Sequence, residues 1–254
     1  MPVSLVPEPP EAARELFGAK LPQAAAYAAM LAGPGVERGL IGPGEAGRIW
    51  ERHLVNSGLV VELLPAARSG RECSLADLGS GAGLPGLVLA ILRPDLQVTL
   101  IEPMARRTTF LTECVGELGL RNVDVCRARA EELRGQLHAD VVTSRAVARL
   151  NRLAELSVGI CRRGGLVLAM KGASAAAELA EARTLLGRLG VIEAEVVTAG
   201  EDLAASGLVE HPTTVIRLRV GSGAKAARGR SATNVREPGH EVQSASRGGD
   251  DGLG

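Results

Sequence analysis

Aromatic side chains are almost absent from this chain: two Phe, one Tyr and one Trp amount to 2% of 254 residues. A core built without them falls to Leu, Val, Ile and Ala, and base-stacking platforms are excluded as the main means of gripping a nucleic acid. Net charge is lacking too, because 29 Lys and Arg balance 29 Asp and Glu. No global field therefore steers the chain to RNA or to an acidic membrane, and either partner would need a local basic patch. Four cysteines, Cys73, Cys114, Cys126 and Cys161, show no C-x-x-C spacing. They are expected to be reduced structural thiols, and no metal site is expected. No apolar run approaches the roughly 20 residues that span a bilayer, and "MPVSLVPEPPEAAR" has neither the basic start nor the apolar stretch of a secretion signal. The expected protein is cytoplasmic, monomeric and without membrane contact.

What is present divides into three parts. Residues 11 to about 65 read as helices broken by "GPGVERGLIGPGEAG", and Ile49, Trp50, His53, Leu54, Ser57, Leu59, Val60 and Leu63 form a stripe near helical spacing. This predicts an N-terminal helical cap over 1–68. Beyond it, short apolar runs at 75–79, 97–102, 123–126, 139–144, 165–170, 191–198 and 213–220 alternate with helical segments at 85–92, 105–118, 130–136, 148–160 and 174–188. Such alternation builds a parallel sheet covered on both faces by helices, a doubly wound Rossmann-like α/β core over 69–220. The stretch 221–254 has almost no bulky apolar residues and is expected to be a disordered tail, basic in its first half through Lys225, Arg228, Arg230 and Arg236.

The densest signal is "LADLGSGAGLPGLVLAIL" at 75–92, where a predicted strand turns into a predicted helix. Glycines there let the backbone approach a ligand closely while helix N–H groups point at it. Gly81, Gly83 and Gly86 satisfy the dinucleotide spacing, but Asp77 leads the run, and a carboxylate is a poor neighbour for a pyrophosphate. S-adenosyl-L-methionine, cationic at its ammonium and sulfonium, suits Asp77 and Gly81 better. Glu102 closes the strand "QVTLIE", where an acid accepts from both ribose hydroxyls of either cofactor. The bland alternatives are that Asp77 caps the helix near Pro85 and that Glu102 is a solvated strand end.

Five segments taken together, "RHLVNS", "LADLGSGAGLPGLVLAI", "EPMARRTTFL", "SRAVARL" and "LAMKGASAAAE", resemble the ribosomal RNA small subunit methyltransferase G family over roughly residues 20 to 200. The resemblance implies a class I S-adenosylmethionine-dependent methyltransferase that acts on N7 of a guanine in the 530 loop of 16S rRNA, as rRNA or within the 30S subunit. It also implies a cofactor site that includes Gly79, Leu84, Glu102, Ala130, Glu131 and Arg145. Many relatives carry Asp where this chain has Glu102.

The chemistry agrees with what is missing. Guanine N7 has a free in-plane lone pair and no proton, so no general base is required and alignment is the main task. Neither an N-P-P-Y or D-P-P-Y turn nor a Pro-Cys nucleophile occurs; "TSRAVARL" stands after the fourth strand instead. The candidates for orienting the acceptor are Arg145, Lys171, His53 and Arg52. Arg145 would hold either the methionine carboxylate or the guanine O6 edge, and a phosphate clamp or surface ion pair is its plainer role. Lys171, one of three lysines against 26 arginines, stands at a strand end, either for a purpose or simply solvated. A histidine on an apolar stripe is more often a packing residue than a ligand contact. Arg106, Arg107, Arg149 and Arg152 would supply a phosphate patch or merely solvated helix faces. The rival functions are a methyltransferase for a small molecule or a protein, and a nicotinamide-dependent oxidoreductase.

Overall fold

The computed structural model describes residues 6–66 and 72–222. One sheet holds seven strands: β1 (Cys73–Leu78), β2 (Leu96–Ile101), β3 (Val123–Cys126), β4 (Ala139–Arg145), β5 (Cys161–Met170), β6 (Val191–Ala199) and β7 (Thr213–Val220). Ahead of it come α1 (Glu11–Phe17), α2 (Leu21–Met30) and α3 (Asn56–Gly58), the last lying between helical turns at Trp50–Val55 and Leu59–Leu63. Between the strands lie α4 (Gly86–Leu92), α5 (Ala105–Glu117), α6 (Leu150–Ile160), α7 (Ala175–Arg188) and α8 (Glu201–Ala205). Beyond Ser222, the tail expected over 221–254 falls outside the described residues.

Strand order is β3-β2-β1-β4-β5-β7-β6. The first five strands run parallel, whereas β7 is antiparallel to both β5 and β6. The expectation of a parallel sheet is thus corrected at its last pair. The five-residue α8 is the only helix between β6 and β7, too little to carry the chain across a face, so the strand returns as a hairpin partner. The segment expected to be a helix at 130–136 is a set of turns. So short a helix gains little beyond its nucleation cost, and Gly135, at φ 76°, closes it. In the cap, helical turns continue through Leu31–Gly35 despite Pro34, because wide turns accommodate a residue that cannot donate.

Side chains alternate across the sheet, so each face has its own core. Leu75, Val98, Leu100, Val141 and Leu168 face a cluster built from α4, α5 and the N-terminal helices, including Phe17, Tyr27, Trp50 and Phe110. Ala76, Ile101, Val142, Val167 and Ile216 face a second cluster with Leu153, Ile160 and Leu179 of α6 and α7. All four aromatic residues are buried in the first cluster, which leaves none to line a binding surface. Trp50 meets Phe17 edge-on at 6.4 Å. The stripe read from the sequence is inward-facing, with Ile49, Trp50, His53, Leu54, Ser57, Leu59 and Val60 all buried.

Candidate active site

The direction of chain progression reverses between β1 and β4, and open α/β sheets bind ligands at that point, outside the carboxyl ends of the strands. A cavity of about 350 Å³ lies there. Gly79, Glu102, Met104, Ala130, Glu131 and Val147 are among its lining residues.

The glycine bend forms its near wall. After β1, the amides of Gly79 and Ser80 both donate to the Ile101 carbonyl, at 2.9 and 3.1 Å, and the chain then turns toward α4. Asp77 is fully buried beneath the turn. Its Oδ2 accepts the Gly86 amide at 3.1 Å, and its Oδ1 has no partner. Burial, reinforced by the charge of Glu102, pushes this carboxyl up to about 7 against the opposing influence of the nearby Ser80 hydroxyl and the Gly86 amide. A β-carbon on Gly86 would lie 2.4 Å from Leu100 Cδ2 and 2.7 Å from Asp77 Oδ2, so the aspartate and the last glycine of the motif form one packed joint. Asp77 therefore supports the start of α4 from below and does not line the cavity. Leu84 is buried in the apolar cluster behind the turn.

Glu102 is buried as well, at 2% exposure. Its Oε2 accepts the Gly81 amide at 3.0 Å, its Oε1 accepts the Met104 amide at 3.0 Å, and Arg107 Nη1 stands 3.5 Å away. These partners fix the carboxyl group at the cavity wall, with acceptor capacity left for ligand hydroxyls. Ala130 is buried against the cavity, and the exposed Glu131 pairs with Arg152. A cofactor of adenosine size fits this set of residues: Glu102 offers its acceptors, Ile101, Met104 and Leu156 supply apolar wall, and the volume is that of a small-molecule site. Gly79 leaves the backbone bare there, since a β-carbon would lie 2.8 Å from Val147 Cγ2.

The chain then divides two cavities between consecutive residues. Ala146 and Val147 line the first, while Arg145 lines a second of about 390 Å³ together with Arg48, Glu51, Arg52 and His211. Arg145 Nη1 donates to Ser57 Oγ at 3.2 Å, and Nη2 contacts the Arg52 carbonyl and His53 Nδ1, both at 3.0 Å. Arg52, His53 and Arg145 are thus brought together from the cap and from β4. Lys171 is not with them. Its ammonium donates to the Ala148 carbonyl at 2.6 Å and to Glu178 Oε2 at 2.8 Å, which fixes the loop after β4 from the far side. Of the expected phosphate patch Arg106, Arg107, Arg149 and Arg152, three are paired with acids: Arg107 with Glu102, Arg149 with Glu181, and Arg152 with Glu131 and Glu155.

Sequence reasoning missed Tyr27 and Glu45. The Tyr27 hydroxyl, wholly buried, donates to the Ala82 carbonyl at 2.7 Å and ties the cap to the glycine bend. The one aromatic residue in the Ala-rich "LPQAAAYAAM" was its available signal. Glu45 lies in a Gly- and Pro-rich stretch that carries none. Among the described residues there is no group of three or more His, Cys, Asp or Glu side chains able to hold a metal ion, and no helix is long and apolar enough to cross a membrane.

With its reversed seventh strand and the glycine bend, the molecule has the fold of the class I S-adenosylmethionine-dependent methyltransferases. A SAM-dependent O-methyltransferase from Thermotoga maritima shares the fold, with a TM-score of 0.52 at 15% identity over 67% of this chain and 66% of its own. The sequence model described as rRNA small subunit methyltransferase G matches residues 20–205, and the chain belongs to that family. The ribosomal RNA small subunit methyltransferase G of Thermobifida fusca is 52% identical over 91% of this chain and 94% of its own length. The protein of the same name from Salinispora tropica is 51% identical over 85% of this chain and 89% of its own.

Proposed function

We propose that this chain transfers a methyl group from S-adenosylmethionine to N7 of a guanine in the 530 loop of 16S rRNA, in the RNA or in the 30S subunit. The observation that carries the reading is Arg145. Its guanidinium is held beside the loop that borders the donor cavity, while its own side faces the arginine-lined cleft. An arginine there suits the O6 edge of guanine, and Arg48 and Arg52 suit the flanking phosphates. When bound, the cofactor supplies the methyl group and a leaving group already in place, so positive charge passes from sulfur to the guanine ring and no proton moves. The protein's work is then alignment and exclusion of water. Gly79 and Glu102 would seat the donor, with Ala130 and Glu131 at its adenine and Asp77 and Gly81 shaping the bend. Arg145, with Arg52 beside it, would orient the acceptor. With the aromatic residues all buried, recognition rests on backbone contacts and shape, as suits a folded rRNA loop.

The test is methylation of 30S subunits that lack the native mark, with the product located by mass analysis of rRNA fragments. A single new N7-methylguanine in the 530 loop is expected. Methyl transfer to a metabolite or a protein, with none to 30S subunits or their rRNA, overturns the reading.

A further inference from the structure

Glu45 begins a chain of contacts that ends on Arg145. His53 Nε2 lies 2.8 Å from Glu45 Oε2, and His53 Nδ1 lies 3.0 Å from Arg145 Nη2. A guanidinium has only donors, so Nδ1 must present its lone pair to Arg145. The single ring proton of a neutral imidazole then sits on Nε2 and is donated to Glu45. The two neighbours between them fix the tautomer. A second ring proton would set an N–H of His53 against an N–H of Arg145, and the contact would be lost.

We infer that His53, held by Glu45, is a positioning residue for methyl transfer: its bare Nδ1 orients the Arg145 guanidinium, and protonation of that nitrogen releases it. This rests on the proposed placement of Arg145 at the acceptor. The guanidinium has three acceptors from one cap segment, the Ser57 hydroxyl, the Arg52 carbonyl and His53 Nδ1, and only the last of them titrates in the neutral range. His53 is 5% exposed, so water does not readily replace a lost partner. The charged groups facing it are Arg145 from β4, Glu45 from the preceding turn, and Arg52 beside it in its own segment. Burial and the Arg145 charge hold the imidazole below its usual value, while Glu45 works the other way. The clasp is therefore closed at neutral pH and opens as pH falls through that lowered value.

The test uses the full chain with 30S subunits lacking the mark, assayed from about pH 5 to about pH 8, the range in which histidine titrates. His53→Ala is expected to lower kcat about 10- to 100-fold at neutral pH, with KM for the subunit and S-adenosylhomocysteine affinity within about twofold. His53→Asn offers an amide oxygen in place of Nδ1 and does not titrate. It is expected to restore most of kcat and to abolish the acid limb seen with the native chain. Glu45→Gln still accepts the Nε2 proton without its charge, and should move that limb to lower pH. An acid limb unchanged in His53→Asn, or His53→Asn no faster than His53→Ala, overturns the inference. Should these variants fold poorly, ¹⁵N spectra of the histidine rings in the native chain decide the same point: an Nε2–H tautomer for His53 supports the clasp and an Nδ1–H tautomer overturns it. In an Arg145→Ala background, His53→Ala is expected to add no further loss; an added loss overturns the inference alone. An Arg145→Ala chain as fast as the native one instead overturns the placement of Arg145.

Discussion

The carboxylate of Glu102 accepts the amide of Gly81 at 3.0 Å, joining the tip of β2 to the glycine bend that follows β1. One side chain thereby fixes the bend and stands in the wall of the cavity at the sheet's reversal point.

Glu102→Gln keeps one acceptor oxygen and turns the other into a donor facing the Gly81 or Met104 amide. Affinity for S-adenosylhomocysteine, measured by calorimetry, is expected to fall about 10- to 100-fold, or about 1.4 to 2.8 kcal/mol. Unchanged affinity would remove Glu102 from the cofactor site.

Asp77 gives the ligand-free protein a pH dependence of known sign. Its carboxyl stands at about 7 when folded, against an ordinary value of 3.8, so the folded state holds the proton more tightly. The stability contributed by that proton is fully present below the unfolded value and is lost as pH rises through the folded one. Asp77→Asn cannot ionise and keeps an oxygen for the Gly86 amide. Urea unfolding should show the Asn variant gaining on the native chain between about pH 4 and about pH 8, by up to about 4 kcal/mol. A constant difference across that range would mean that Asp77 is charged throughout.

Lys171→Met leaves Glu178 without its cation, though still bonded to the Leu150 amide and the Ser174 hydroxyl, at a site where both side chains are 11% exposed. The expected loss is about 3 to 5 kcal/mol of unfolding free energy. Methyl transfer per folded molecule should fall less than in Arg145→Ala. The reverse order, a stable but inactive Lys171→Met, would return this lysine to the acceptor site.

The glycine bend, its leading aspartate and the acid at the end of β2 were legible because they are local: a strand, a turn and a helix start within one span of about thirty residues, as in other nucleotide-binding βαβ units. Arg145 was legible as the residue ending β4. Its partners were not, because Arg52, His53 and Ser57 lie about ninety positions away and meet it only when the cap closes on the sheet. The roles of Asp77 and Lys171 stayed ambiguous for the same reason, since a carboxylate or an ammonium looks the same in sequence whether it meets a ligand or a neighbour in the fold.

Alternation of apolar runs with helical segments determined the α/β sheet and the place of the glycine bend at the end of its first strand, because hydrophobic period and connection length leave few topologies. Tertiary structure decided the antiparallel return of β7, the burial of every aromatic residue, the separation of Arg145 from the cavity beside Glu102, and the meeting of Arg145 with His53 Nδ1. Each of these depends on which groups from distant parts of the chain share one small volume, where the loss of water makes a single donor or acceptor decisive.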